Sequence, residues 1–204
     1  MRFGAEVQTV PWKTVNSAGM KLPRRYLISA NASSPEKWWQ RFEHLLSLPD
    51  ALLQLRCDHD NPAELEQRVV RARDLCRQKN RILLLNGQVS LARSLDLDGV
   101  HLNARTLMSL ESRPLPPGRL VGASCHNALE LHQAEKIAVD FACLSPLFPT
   151  PSHPGAKVLG LQRFSELVFA CEIPVYALGG IKAGDLQRVN SAGGYGIAGI
   201  SAWW

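Results

Sequence analysis

Gln54 and Arg56 stand two residues apart in Ala51-Leu52-Leu53-Gln54-Leu55-Arg56. On an extended strand that spacing sends both side chains to one face. A carboxamide beside a guanidinium suits the edge of a heterocycle and a phosphate, and the same pair also suits a buried polar network. Asn86-Gly87 closes an apolar run. Its asparagine could orient a phosphate or a metal-bound water, or the pair could simply turn a strand into a helix. Thr150 and Ser152 offer two hydroxyls in the Pro-rich stretch Phe148 to Pro154. They read either as phosphate ligands or as part of a stiff surface loop. Gly179-Gly180 and Gly199-Ile200-Ser201 are short glycine turns that let a backbone approach a ligand closely. Ser124 and His126 are a weak nucleophile and base pair, because no Gly-x-Ser-x-Gly elbow surrounds them. His101, between Val100 and Leu102, reads as a core histidine.

These residues are far apart in the chain, so elements must bring them together. Strand patterns occur at Tyr26–Ser29, Ala51–Arg56, Ile82–Leu85, Gly99–Leu102, Leu120–Ala123, Phe141–Leu144, Ile173–Leu178 and Gly196–Ile200. Helices fall between them. Ser33-Ser34-Pro35-Glu36 is an N-cap followed by a first-turn proline, and Trp38, Trp39, Phe42, Leu45 and Leu46 follow at helical spacing before Pro49. Asn61 opens a helix to about Gln78. Shorter helices are expected near Val89–Leu95, Thr106–Glu111, Asn127–Ile137, Leu161–Ala170 and Ala183–Ser191. The alternation predicts an α/β fold, a closed (β/α)8 TIM barrel, with a doubly wound open sheet as the alternative. Chemistry then belongs at the C-terminal strand ends, and the turns after strands seven and eight form the usual phosphate cradle. Residues 1–23 read as an arm or linker and residues 24–204 as the barrel. The last helix is expected to be missing or truncated. The apolar face this leaves would need the arm, a partner subunit in a homo-oligomer, or Trp203 and Trp204 to cover it.

Composition narrows the partners. The 204 residues are 46% hydrophobic with a net charge of +5, which excludes a largely disordered chain. The basic residues are scattered and form no zinc finger or RNP motif, so a phosphorylated small molecule fits better than nucleic acid. No apolar run reaches the roughly 18 residues of a membrane span, and the start lacks the apolar core of a secretory signal. The five cysteines are dispersed, with no spacing suited to zinc, and read as reduced thiols of a cytoplasmic protein. No metal ligand is assigned.

Six segments carry a family resemblance: Gln54-Leu55-Arg56, Asp98 to Leu102, Gly122 to His126, Ser145 to Ser152, Ala177 to Ile181, and Gly196 to Ala202. In this order, each at a strand end, they resemble the thiamine phosphate synthase and TenI superfamily from Tyr26 to Trp203. The resemblance implies a barrel that joins an aminopyrimidine diphosphate to a thiazole phosphate, with magnesium and basic groups stabilising the departing pyrophosphate. It implies that Gln54 and Ser124 meet the pyrimidine and that Arg56 and Asn86 face the diphosphate. Thr150, Ser152, the Gly179-Gly180 turn, Ile200 and Ser201 would hold the thiazole phosphate. The stretch from Leu22 to Ile28 resembles the entry to this barrel in fusions with a Nudix hydrolase, which makes such a domain a candidate partner.

The chain departs from the family pattern where charge is handled. The family's lysine two residues past the strand-two arginine is Asp58 here. The magnesium aspartate after Asn86 is Gly87, and the second lies where Asn103-Ala104-Arg105-Thr106 stands. The lysine after the two hydroxyls is His153. Magnesium and cations normally absorb the negative charge of a leaving diphosphate. Their loss predicts negligible synthase turnover unless Asp58 and Asp60 supply relocated ligands. The TenI branch tautomerises an aminothiazole carboxylate phosphate without magnesium, but its histidine aligns with Pro146. A relocated His153 or His126 would then move the proton. Arg56 and His153 are thus the residues assigned catalytic roles. A non-catalytic barrel that partners a Nudix hydrolase is a further reading.

Overall fold

The computed structural model describes residues 19–57, 61–150 and 155–204. Strands β1 Arg25–Ile28, β2 Ala51–Leu55, β3 Leu83–Asn86, β4 Gly99–Leu102, β5 Leu120–Cys125, β6 Phe141–Leu144, β7 Val175–Ala177 and β8 Gly196–Gly199 alternate with helices. Each strand pairs in parallel with the next, and β8 pairs back with β1, closing the barrel. The expected closed barrel is therefore present, and the open-sheet alternative is excluded.

The helices are α1 Pro35–Ser47, α2 Pro62–Gln78, α3 Val89–Ser94, α4 Ala104–Ser109, α5 Ala128–Lys136, α6 Gly160–Phe169 and α7 Leu186–Ser191. A 3-10 turn, Ala183–Asp185, leads into α7. Ser34, Asn61, Asn103 and Asn127 each accept a backbone N–H at a helix start, as short polar side chains do at N-caps. The cap at Asn103 starts α4 two residues before the expected Thr106, because its carboxamide satisfies Thr106 N–H at 2.8 Å.

Alternation along the strands sorts side chains into two layers. Leu27, Leu53, Leu85, Val100 and Val121 face outward into the helices. Tyr26, Leu52, Leu84, Phe141, Cys143, Tyr176 and Ala198 face inward and fill the barrel axis. The inner layer is aromatic on some strands and bare on others. A Cβ on Gly122 would lie 2.5 Å from the Phe141 ring, and one on Gly196 would lie 2.8 Å from Tyr176. Large rings thus occupy the space that glycine leaves at the paired position of the neighbouring strand. Below the rings, Leu22 is buried and Met20 packs on the same cluster. The hydroxyls of Tyr176 and Tyr195 donate to the carbonyls of Pro23 and Leu22, so the incoming chain closes the N-terminal end of the barrel.

After β8, residues 201–203 form a turn where an eighth helix was expected to be lacking or short. The Trp203 and Trp204 N–H groups both donate to Ile200 C=O. Trp204 packs edge-on against Trp38 at 5.5 Å, Trp38 stacks on Phe42 at 5.1 Å, and Trp204 Nε1 donates to Asn31 C=O. Of the three expected covers for that face, the two terminal tryptophans are the one the described residues supply. No helix among the described residues is long and apolar enough to cross a membrane.

Candidate functional site

The side chains just above the aromatic plug continue the inward register. Ile28 follows Tyr26, Gln54 follows Leu52, Asn86 follows Leu84, and Ser124 follows Gly122. His101, Leu178 and Ile200 stand at the same level on β4 and after β7 and β8. Together with Arg56, His126, Ser145, Thr150, the Gly179-Gly180 turn and Ser201, they line one cavity of about 690 Å³ at the C-terminal mouth. Gln54, Arg56, Asn86, Ser124, Thr150, Gly179, Gly180, Ile200 and Ser201 are thus brought together. Ser152 and His153, with Asp58 and Asp60, lie outside the described residues.

Gln54 is almost fully buried, and its Nε2 donates to the Tyr26 hydroxyl at 2.8 Å. That contact is the structural side of the alternative raised for this residue, and Gln54 also lines the cavity. Ser29 is buried at the end of β1 and stitches the neighbouring strand end. Its N–H donates to Gln54 C=O at 2.9 Å, and its hydroxyl accepts Arg56 N–H at 2.9 Å and donates to Arg56 C=O at 3.3 Å. The ladder proper ends at Leu55, so the Ser29 side chain holds the Arg56 backbone where strand pairing stops.

Ser124 Oγ lies 2.9 Å from His101 Nε2. His101 Nδ1 is buried without a hydrogen-bond partner, and burial pushes the imidazole pKa down to about 3. A base so weak does not activate a serine. His126, two residues beyond Ser124, turns elsewhere. Its Nδ1 lies 2.9 Å from Ser145 C=O and 3.2 Å from Ser145 Oγ. A carbonyl only accepts, so Nδ1 carries the proton and Nε2 presents the lone pair. Ser124 and His126 therefore have separate partners, and no serine-hydrolase pair forms.

Gly179 and Gly180 have φ of +92° and +65°. A Cβ on Gly179 would lie 2.8 Å from Pro146, and one on Gly180 would lie 2.5 Å from Pro149 O. Glycine is thus required for the 146–149 segment to close on this turn, in addition to any ligand contact. Phe148 N–H donates to Gly179 C=O at 3.0 Å, which ties the 146–149 segment to this turn. The N–H groups of Gly180, Ile200 and Ser201 donate to no described residue. All three residues line the one cavity, and backbone N–H groups left for solvent beside a concavity suit an anion.

Other parts of the same motifs are architectural. Asp98 Oδ2 accepts Leu83 N–H at 2.9 Å, and a Cβ on Gly99 would lie 2.3 Å from Leu120 O. Sequence reasoning overlooked Ser29, Asn103 and Ser145. Ser29 could have been found by applying to β1 the strand-end rule that singled out Arg56. Ser145 lacked any signal, because its role depends on His126 across the mouth.

Among the described residues no Asp or Glu lines the cavity, and no cluster of three or more His, Cys, Asp or Glu could hold a metal ion. The residues at the β3 and β4 ends are Asn86, Gly87 and Asn103. These neutral groups do not fit Mg²⁺, which is held through carboxylates and water.

The thiamine monophosphate synthase family model (TMP-TENI) matches residues 25–203. A protein of Aquifex aeolicus (strain VF5), named provisionally as thiamine-phosphate synthase 2, is 35% identical over 182 residues, covering 89% of this chain and 98% of that one. A thiamine-phosphate synthase of Synechococcus sp. (strain WH7803) is 33% identical across 82% of this chain, which spans 48% of that longer protein. Among solved structures, thiamine phosphate pyrophosphorylase from Pyrococcus furiosus superposes with a TM-score of 0.72 at 26% identity, covering 92% of this chain and 87% of that one.

Proposed function

Because this chain belongs to the thiamine monophosphate synthase family, we propose that its barrel mouth binds a phosphorylated heterocycle of thiamine chemistry. The phosphate sits on the N–H groups of Gly180, Ile200 and Ser201 with the Thr150 hydroxyl beside them. The ring lies over Gln54 and Ser124, and Arg56 supplies the positive charge. One observation carries this reading: three backbone N–H groups that donate to no described residue belong to two separate glycine turns lining one cavity, which Arg56 also lines. A bound phosphate satisfies donors that otherwise depend on water.

The same cavity bears on the reaction. Departure of a diphosphate needs charge stabilisation, and the described lining offers one guanidinium and no carboxylate to hold a metal. Removing a single such electrostatic donor raises a barrier by about 3 to 4 kcal/mol. Synthase turnover is therefore expected to be very low. Calorimetry with thiamine phosphate tests the binding. Millimolar-or-better affinity that weakens about tenfold in Arg56→Ala supports the reading, and no binding at millimolar ligand overturns it.

One observation favours a second, catalytic version of this reading. Ser145 holds His126 through Nδ1, and Nε2 has no partner among the described residues, so it can take a proton at the cavity rim. It is then the relocated acid–base of a metal-free tautomerisation of a carboxylated aminothiazole phosphate. Proton NMR of that conversion, lost in His126→Gln with binding retained, is the expected result. Unchanged turnover in the variant would exclude His126.

A further inference from the structure

We propose that His101 fixes the polarity with which the barrel mouth meets its ligand: the imidazole donates Nε2–H to Ser124 Oγ, and the Ser124 hydroxyl is thereby left to donate to the ring above it. The inference rests on the binding reading above and takes from it the place of the ring over Ser124. It adds the class of ligand atom that must stand there, a hydrogen-bond acceptor. His101 is then a positioning residue that sets specificity through Ser124.

Which imidazole nitrogen carries hydrogen decides the matter. His101 is buried, and burial keeps its ring neutral at ordinary pH. A neutral imidazole has one N–H and one bare nitrogen. Nε2 stands 2.9 Å from Ser124 Oγ. A ring carbon would not approach a hydroxyl oxygen that closely, so the ring orientation is settled. Nδ1 is buried with no hydrogen-bond partner. The rings of Tyr26 and Phe141 lie 5.5 and 6.2 Å from the imidazole, centre to centre, and His101 pairs in register with Gly122 on β5. The point a Cβ on Gly122 would occupy is 2.8 Å from Nδ1. In glycine a Cα hydrogen points that way, so Nδ1 faces a C–H. A bare lone pair accepts a C–H weakly. An N–H there would set hydrogen against hydrogen and be a buried donor without an acceptor. The proton therefore sits on Nε2.

The serine oxygen then accepts from the histidine, and its own hydrogen has to go elsewhere. That hydroxyl has no other partner among the described residues, and Ser124 lines the cavity. Its hydrogen is available to the ligand alone. A ring nitrogen without hydrogen, or an oxo group, satisfies it. A ring N–H or C–H at the same point leaves a hydroxyl donor unpaired, which costs more than one hydrogen bond contributes on balance. The opposite tautomer would reverse the preference, because Ser124 would donate to His101 and accept from the ligand. One proton in the layer beneath the ligand therefore selects heterocycles that turn an acceptor edge toward β5.

Two measurements on the full chain test this. Nitrogen NMR of isotope-labelled protein, with His101 assigned by its loss in His101→Gln, should show hydrogen on Nε2 and a bare Nδ1. Calorimetry then compares thiamine phosphate with two analogues in which one pyrimidine nitrogen at a time is replaced by C–H. One analogue is expected to bind about tenfold more weakly than thiamine phosphate, the effect of leaving a hydroxyl donor unpaired. That ratio should fall to about twofold or less in Ser124→Ala and in His101→Leu. It should return to about tenfold in His101→Gln, whose amide again donates to Ser124 Oγ. A merely structural role of His101 would weaken all three ligands equally and leave the ratio at its wild-type value. Hydrogen on Nδ1, equal binding of the three ligands, or a ratio unmoved in His101→Leu overturns the inference while thiamine phosphate still binds. Failure of thiamine phosphate to bind at millimolar concentration overturns the binding reading and this inference together.

Discussion

Acidification offers a sharp test of the buried imidazole at the cavity floor. His101 is 2% exposed, and burial alone lowers its pKa from 6.5 to about 3. The folded protein therefore keeps it neutral at pH values where the unfolded chain protonates it. A base whose folded pKa is depressed makes the unfolded state the greater proton binder, so stability rises with pH through that window. His101's contribution is complete above about pH 7 and is lost progressively as pH falls from 6.5 toward 3. At 1.36 kcal/mol per pKa unit, going from pH 7 to pH 5 removes about 2 kcal/mol, a large share of the roughly 5 to 15 kcal/mol that holds a domain folded. His101→Gln retains a polar partner for Ser124 Oγ and cannot titrate. Urea unfolding of both proteins at pH 7, 6 and 5 isolates the effect, because every other titrating group is shared. Wild type should lose about 2 kcal/mol more than the variant over that range. Parallel curves, or a native His101 resonance that titrates near pH 6.5, would refute the reasoning.

Three further outcomes are expected. Ser29→Ala leaves the part-buried Arg56 N–H without its acceptor and should cost about 1 kcal/mol; Ser29→Thr, which keeps the hydroxyl, should restore both stability and thiamine phosphate affinity. Trp38→Ala removes a fully packed ring from beneath Trp204 and should cost about 3 to 5 kcal/mol in chemical denaturation. Trp204→Ala, at a half-buried ring, should cost clearly less. Burial pushes the thiols of Cys76 and Cys171 up to about 12 and raises those of Cys125 and Cys143 as well. A thiol reagent at pH 8 should therefore modify Cys57 first, with the other four reacting only on unfolding.

The barrel was legible before any coordinates because its signals are local. Runs such as Leu83-Leu84-Leu85 mark strands buried on both faces, and Ser34-Pro35 and Asn61-Pro62 mark helix starts. A residue's position past its strand end then fixes its height at the mouth, which is why Gln54, Arg56, Asn86, Ser124 and the two glycine turns were found together. Contacts across the mouth were not legible. Whether Ser124 meets His126 or His101 depends on how neighbouring strands twist, and period-2 reasoning says nothing about that. Likewise His101 reads in the sequence only as a core histidine. Its meaning as an oriented donor exists once Gly122 stands beside Nδ1 and Ser124 beside Nε2. Sequence by itself settled the order of elements and the layer each side chain occupies, since both follow from backbone periodicity. Partners, orphaned donors and the sign of charge at each corner were decided by tertiary structure, because each is a property of atoms that only closure of the barrel brings into range.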